Sequence, residues 1–409
     1  MKLITLALAY LRARPLTTLL NVAMLSLGIA TIVVLLLAAH QLGERMTRDA
    51  RGIDMVLGAK GSPLQLVLAG IYHLDVPAGN IPIMSMKEIA KNPMVKQAIP
   101  LALGDAFRGY RIVGTDQRYL DLYGAHLASG KSFSKPLEAV LGAEVARATN
   151  VSVGQAFAGS HGLGEGGAKH EEAQYKVVGV LQPTGSVLDR LVLTDLASVW
   201  EVHEHKDDAK DGKAKEPHAP HADHDDDENR EVTMVLIQYS TPLAAALLPR
   251  QLNARSDVQA AAPALELARL FRLVGVGVDV IKGFALILVI SAALGVLVAL
   301  SAALRERRYD LAVLRTLGAS RRDIFALLIV EGALLALVGA LLGVALGHAL
   351  MALVGHWSAA EKSVPLTGAL WLWQEAALIG GAVLLGVLAA LAPAVSAYRT
   401  DVAAVLVEA

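Results

Sequence analysis

The sequence predicts an α-helical membrane protein with four transmembrane helices and a large α+β extracytoplasmic domain between helices 1 and 2. Of the 409 residues, 54 % are hydrophobic and only 18 % are charged, whereas an average soluble protein has about 25 % charged residues. The apolar residues also lie in long, nearly uncharged runs at 15–39, 283–304, 324–353 and 376–397. Each run reaches the length of about 20 residues that a helix needs to cross a bilayer.

The first run is interpreted as an uncleaved spanning helix, because its apolar part far exceeds the roughly 7–15 residues of a signal peptide. Residues 1–11 precede it, and they suit a short interfacial helix before a turn at Pro15. A cytoplasmic extension of the first span is the alternative for this segment.

Basic residues predict the orientation of the spans. They lie before the first span, between the second and third, and after the fourth: Lys2, Arg12, Arg14, Arg305, Arg307, Arg308, Arg315, Arg321, Arg322 and Arg399. By the positive-inside rule, both termini are cytoplasmic and the large domain lies on the outer side of the membrane. The net charge of -1 argues against a nucleic-acid partner, and the absence of cysteine excludes disulfides and thiolate metal sites.

We expect three regions: an N-terminal helix with the first span at 1–41, an external domain at 42–272, and three further spans at 273–409. In the external domain, the sequence predicts strands at 110–113, 175–181 and 232–239 and helices at 138–148 and 242–254. Residues 269–282 are read as a helix that projects from the second span.

The segment at 203–230 is rich in acids and histidines and has no apolar run to bury. Two interpretations stay open for it, a solvated low-complexity insert and a weak site for zinc or a similar metal, since imidazole suits such ions. The candidate ligands are His203, His205, His218, His221, His224 and Asp223, with His161 and His170 as additional ones.

Two glycine-rich strings resemble nucleotide-binding motifs and are rejected. A dinucleotide site needs a strand before its glycine string and a helix after it, but the G-x-G-x-x-G string at 162–167 has no apolar run on either side. The string at 58–62 lacks the Lys-Ser/Thr pair of a phosphate loop. We therefore expect no catalytic residue and no directly bound nucleotide, so that any ATP and magnesium would bind a partner chain.

The loop between the second and third spans predicts a short amphipathic helix at the membrane surface. Gly318 suits the end of that helix, and Ser320 with Asp323 suits a capping box that begins the next one. We interpret the helix as a docking site for a cytoplasmic partner, with a merely topological role as the alternative. Its candidate residues are Arg307, Arg308, Leu311, Leu314, Arg315, Leu317, Gly318 and Ser320.

Residues 305–322 resemble the signature of FtsX/MacB/LolC-type ABC transporter permeases, and Glu331 matches the early glutamate of the span that follows. Residues 393–406 are similar to the end of these permeases, without the usual proline after Asp401. Residues 113–116, 139–142 and 153–154 resemble their periplasmic core domain.

The resemblance implies a permease subunit of the bacterial inner membrane, with both termini cytoplasmic and the large domain periplasmic. It also implies that ATP hydrolysis by a separate cytoplasmic ATPase moves periplasmic domains, for export or extraction of a cargo. It implies a second permease chain, identical or different, and leaves room for a periplasmic binding or adaptor protein beside the surrounding lipid. The His-rich segment favours a zinc-linked system. The alternative function is a signalling permease that activates a periplasmic enzyme without transport.

Small residues in the third span predict close helix packing, within one chain or between two. They are Gly339, Gly343 and Gly347, spaced four residues apart. Glu331 lies in the same span, where a carboxylate is costly unless it is paired or near the surface, so we expect an arginine of the preceding loop as its partner.

Overall fold

The computed structural model describes residues 3–161, 169–202, 230–306, 314–360 and 366–399. The chain divides into two compact units. We call Met1–Leu42 with Val274–Ala409 the membrane unit, and Gly43–Leu273 the sheet domain.

The membrane unit contains the four spans that the sequence predicts. Its helices are α1 (Leu3–Ala13), α2 (Pro15–Asp49), α8 (Pro263–Glu306), α9 (Arg321–Ala360) and α10 (Trp373–Arg399). All but α1 are long and apolar enough to cross a membrane. The separate helix α1 ends just before Pro15, as the first of the two interpretations predicts, because proline fits the first position of a new helix.

The spans pack through small residues. Helices α9 and α10 are in close contact at Gly332 and Gly386, where a Cβ on Gly332 would lie 2.8 Å from the Gly386 carbonyl oxygen. A Cβ on Gly28 of α2 would lie 3.0 Å from Val289 of α8. Helix α2 is therefore in close contact with α8, and α9 is in close contact with α10.

The sheet domain is built on strands from both halves of its sequence. They are β1 (Met55–Ala59), β2 (Ile81–Pro82), β3 (Val95–Phe107), β4 (Tyr110–Thr115), β5 (Leu127–Gly130), β6 (Glu138–Leu141), β7 (Ala156–His161), β8 (Lys169–Leu181), β9 (Leu191–Asp195), β10 (Glu231–Val232), β11 (Met234–Tyr239) and β12 (Val258–Ala261). Its helices are α3 (Pro63–Gly70), α4 (Ile83–Ala90), α5 (Gln117–Leu122), α6 (Ala143–Thr149) and α7 (Pro242–Asn253), besides a 3₁₀ turn at Val187–Arg190.

Ten of these strands form one sheet in the order β12-β1-β11-β3-β4-β9-β6-β8-β5, with β7 paired to β3 and β8. The pairs β4–β9 and β6–β8 are parallel and the other pairs are antiparallel. Apolar cores cover both faces of the central strands. The predicted α+β class is confirmed.

The structure corrects two local predictions. The segment 138–148 is not one helix: β6 ends at Leu141, and helix α6 begins after Gly142. Because β6 lies between β8 and β9, its apolar side chains are buried, and a short apolar run of this kind cannot be told from a helix by its pattern. The run 232–239 is interrupted at Thr233, whose hydroxyl accepts a hydrogen bond from the Leu103 amide at 2.9 Å.

Candidate functional site

The segment before α9 has the predicted local structure. Gly318 adopts a left-handed conformation with φ +105°, and the Ala319 amide donates to the Leu314 carbonyl at 3.0 Å, which closes a helical turn. The Ser320 amide then donates to Oδ2 of Asp323 at 2.8 Å, and the Asp323 amide donates to Oγ of Ser320 at 3.2 Å. This reciprocal pair is a capping box.

The predicted docking residues of this segment differ in what they contact. Leu317 is 78 % exposed, whereas Leu314 packs against the apolar core that includes Ile324 and Leu328. Arg307, Arg308 and Leu311 lie outside the described residues. Of the two leucines in the described part of the segment, Leu317 is therefore the exposed one.

The three glycines of α9 form a seam with α2 within one chain. A Cβ on Gly339 would lie 2.8 Å from Leu25, one on Gly343 2.8 Å from Ile29, and one on Gly347 2.8 Å from Val33. The hydroxyl of Ser26 donates to the Gly339 carbonyl at 2.9 Å and is buried there. Of the two arrangements considered for these glycines, the structure shows packing inside the subunit.

Glu331 is 3 % exposed and lines a small cavity of about 20 Å³. The cavity wall also includes Tyr10, Arg14 and Asn21 from the two N-terminal helices. Arg14 forms an ion pair with Glu306 at the end of α8. An arginine of the loop as the partner of Glu331 stays a prediction.

The last turn of α2 belongs to the sheet domain and is held there by side-chain hydroxyls. Tyr72 donates to the Met46 carbonyl at 2.9 Å, and Tyr123 donates to the Asp49 carbonyl at 2.7 Å. The Val187 amide donates to Oδ1 of Asp49 at 2.9 Å. The bond from Tyr123 therefore satisfies a carbonyl group at the C-terminus of the helix, and the bond from Tyr72 adds a second donor to the Met46 carbonyl, which also accepts from the Ala50 amide.

A buried histidine supports this tyrosine cluster. His73 has φ +54° and 8 % exposure, and its Nε2 lies 3.1 Å from the Tyr119 hydroxyl. Tyr119 in turn packs edge-to-face on Tyr123, with ring centroids 5.5 Å apart. Burial, with a smaller contribution from Arg111, lowers the pKa of His73 to about 3, so the imidazole is neutral.

The first turn of α8 also belongs to the sheet domain. Strand β12 ends at Ala261, and the Ala262 carbonyl accepts from the Glu266 amide at 3.2 Å, so the helix begins directly at the sheet. Leu267 is buried in the main apolar core of the domain. Helices α2 and α8, each of which has residues in both units, are therefore both anchored in the sheet domain.

A polar cluster that the sequence reading missed lies at one end of the membrane unit, around residues 366–372. His348 of α9 has Nδ1 2.6 Å from the Gly368 carbonyl and Nε2 2.8 Å from Oε2 of Glu375. Glu375 of α10 is fully buried, and its Oε1 accepts from the Leu372 amide at 3.2 Å. Ionisable groups inside spans are candidates for function, which is the signal that could have found this cluster.

The same cluster includes α2 and an aromatic ring. The Gln41 side chain donates to the Thr367 carbonyl at 2.8 Å and accepts from the Thr367 amide at 2.8 Å. The Trp371 ring is stacked on His348, with centroids 5.5 Å apart. The exposed rings of Trp357, Trp371 and Trp373 are grouped in sequence around this end, and tryptophan is typical of a membrane interface.

The predicted metal ligands cannot be placed. His203, His205, His218, His221, His224 and Asp223 lie outside the described residues. Among the residues that the structure describes, no group of three His, Cys, Asp or Glu side chains could hold a metal ion.

Two family models match the chain, the FtsX-like permease C-terminal model over residues 282–402 and the MacB-like periplasmic core domain model over residues 18–209. The periplasmic region of MacB from Actinobacillus actinomycetemcomitans is similar at 13 % identity and a TM-score of 0.35, covering 54 % of this chain and 95 % of that one. The extracellular domain of the noncanonic ABC-type transporter YknZ from Gram-positive bacteria is similar at 13 % identity and a TM-score of 0.29, covering 50 % and 98 %. Among curated proteins, none matches.

The two family models match different parts of the chain and together cover more than half of it. Four apolar helices of spanning length accompany them. The chain therefore belongs to the MacB/FtsX-type family of ABC transporter permeases and is a multi-pass membrane protein with a MacB-like periplasmic core domain.

Proposed function

We propose that this permease couples ATP hydrolysis on a separate cytoplasmic ATPase to movement of its periplasmic domain, for export or extraction of a periplasmic or membrane cargo. The observation that carries the proposal is the course of α2 and α8. Each helix has one end in the membrane unit and the other in the sheet domain, where buried contacts hold it. A helix held in this way passes a displacement of one end to the other.

The inner membrane is the proposed location, with both termini in the cytoplasm. The arginines before α2, around the start of α9 and at the end of α10 support this orientation. In the same orientation, residues 314–320 face the cytoplasm, where an ATPase can reach the exposed side chain of Leu317.

A second permease chain is the other proposed partner. Helix α8 spans about 66 Å at ~1.5 Å per residue, which exceeds the ~40–45 Å of a bilayer with its headgroups. Leu273, Val276 and Val280 precede the predicted span of this helix and are exposed. An apolar stripe outside the lipid needs a cover, and a second permease chain can supply it.

The docking experiment tests the proposal. The full-length chain is purified with its ABC ATPase from the membranes of its own cells, and ATP hydrolysis per permease is measured. We expect Leu317→Asp to lose the ATPase, because a charge at an exposed apolar contact disrupts docking. The matched control is Leu243→Asp, a substitution at a 62 % exposed leucine of the sheet domain, which should retain the ATPase.

Retention of the ATPase and its hydrolysis by Leu317→Asp would contradict the docking role. Cargo movement is a separate measurement on the complex reconstituted in vesicles. Hydrolysis without any cargo movement would favour the signalling alternative.

A further inference from the structure

The side chains of His348 and Glu375 share one proton, and the two hydrogen bonds of His348 require it. The Gly368 carbonyl can only accept, so Nδ1 of His348 must carry a hydrogen. Between Nε2 and Oε2 of Glu375, 2.8 Å apart, either the imidazolium or the carboxylic acid donates. In both forms one proton is shared, and the pair has no net charge.

The contact depends on that single proton. If it is lost, the neutral imidazole has a single N–H for two acceptors, so His348 can bond to Glu375 or to the Gly368 carbonyl but not to both. A fully buried carboxylate then also keeps an uncompensated charge. If a second proton is bound, both atoms become donors. Two interacting groups of this kind titrate as a pair.

The surroundings of His348 are otherwise uncharged in the part of the chain that the structure describes. Trp371 covers one face of the ring, Gly368 contributes a backbone carbonyl, and Glu375 is the ionisable group whose charge acts on it. Glu361 and Lys362, which come shortly before this segment in the sequence, lie outside the described residues and are tested below.

The segment 366–372 is bound to three spans at once. Thr367 bonds to Gln41 of α2, Gly368 to His348 of α9, and Leu372 to Glu375 of α10. Helix lengths place the cluster near one membrane interface, since Arg14 to Gln41 and Arg321 to His348 each span about 40 Å.

We propose that His348 and Glu375 form a proton-dependent clasp, which joins the first, third and fourth spans through residues 366–372 and opens when the shared proton is lost. The clasp goes beyond the proposed transport function, because its closure requires neither ATPase nor cargo. In the proposed orientation it faces the periplasmic side, so external pH sets the fraction of closed molecules.

Hydrogen exchange of the full-length protein in lipid nanodiscs tests the clasp. The readout is the protection of the Thr367 and Leu372 amides, corrected for intrinsic exchange, from about pH 5 to about pH 10, which brackets imidazole and carboxyl titration. In the wild type we expect protection to fall at least about tenfold at the alkaline end.

Two variants should respond in opposite ways. In Glu375→Gln the amide oxygen can accept from Leu372 and the amide nitrogen can donate to neutral His348, so the clasp stays closed at alkaline pH. His348→Ala removes the contact, and both amides should exchange rapidly throughout. Amides of β3 and β11 serve as the folding control, since their strand pairing lies in the other unit.

Several results would overturn the proposal. They are constant protection in the wild type across the pH range, rapid exchange in Glu375→Gln where the wild type is protected, and wild-type behaviour of His348→Ala. The double variant Glu361→Gln with Lys362→Gln should keep the wild-type dependence of amide protection on pH. Loss of the pH dependence in this variant would mean that Glu361 or Lys362, and not the pair of His348 and Glu375, is the titrating group.

Discussion

The seam between α2 and α9 gives a sharp prediction, because its glycines leave no room for a side chain. In Gly343→Ala, the new Cβ would lie 2.8 Å from Cβ of Ile29 and 2.8 Å from the Ser26 carbonyl oxygen. Carbon atoms in contact are normally about 3.5–4.0 Å apart. The two helices must therefore separate by about 1 Å, or the backbone must shift by a similar amount.

The loss of stability follows from the contacts between α2 and α9 that this separation weakens. Leu25, Ile29 and Val33 are buried along the seam, and a gap of about 0.5–1 Å loses a quarter to a half of the dispersion energy of each contact. Overpacking of this kind destabilises by about 1–3 kcal/mol. An alanine also gains up to about 1 kcal/mol of helix propensity over glycine, which must be subtracted.

A matched control removes the propensity gain from the comparison. Gly381 lies in α10, and a Cβ there meets nothing within 4 Å. We expect Gly343→Ala to be less stable than Gly381→Ala by about 1–3 kcal/mol, measured as the free energy of unfolding in mixed detergent and denaturing surfactant. Equal stability of the two variants would refute the close contact between the helices.

Two predictions concern the other parts of the chain. Burial lowers the pKa of His73 to about 3, so below the unfolded pKa of about 6.5 the histidine takes up a proton when the protein unfolds. The free energy of unfolding is therefore highest above about pH 6.5, and it falls toward pH 3 by up to ~1.4 kcal/mol per pH unit. His73→Asn, which tolerates the left-handed backbone, should flatten this slope in denaturant titrations at several pH values, and an unchanged slope would assign it to other groups. Deletion of residues 203–228, outside the described part of the chain, should leave ATPase association intact and lower the zinc bound in equilibrium dialysis, whereas unchanged zinc binding would exclude this segment as its ligand.

Sequence reasoning succeeded where the determining forces are local. The four spans follow from the length of each apolar run, and the capping box at Ser320 and Asp323 follows from side-chain chemistry within one turn. The helix predicted at 138–148 fails because β6 lies inside the sheet, and its partners β8 and β9 come from later in the chain.

The same reasoning explains what was missed at the sites. The sequence pattern does not distinguish Leu314 from Leu317. In the fold, however, Leu314 packs against the core of the bundle and Leu317 is exposed. The clasp depends on the path of residues 366–372, where Gly368 lets the chain pass close to α9: a Cβ at this position would lie 3.0 Å from Cβ of Ala352. No periodicity in the sequence encodes that approach.

The packing of the spans explains why the position of the clasp matters for coupling. Helix α2 packs closely against both α8 and α9, and α9 packs closely against α10 through Gly332 and Gly386. Helices α2 and α8 both have anchored ends in the sheet domain. The glycine seam joins α2 to α9, and the bond from Ser26 to Gly339 crosses it directly. The bonds between Gln41 and Thr367 add a second link, because the neighbouring Gly368 is bound to His348 of α9. Under the proposed coupling, a displacement that enters at residues 314–320 acts first on α9. It can then shift α9 against α2 only if the clasp yields, and a closed clasp makes the spans respond together.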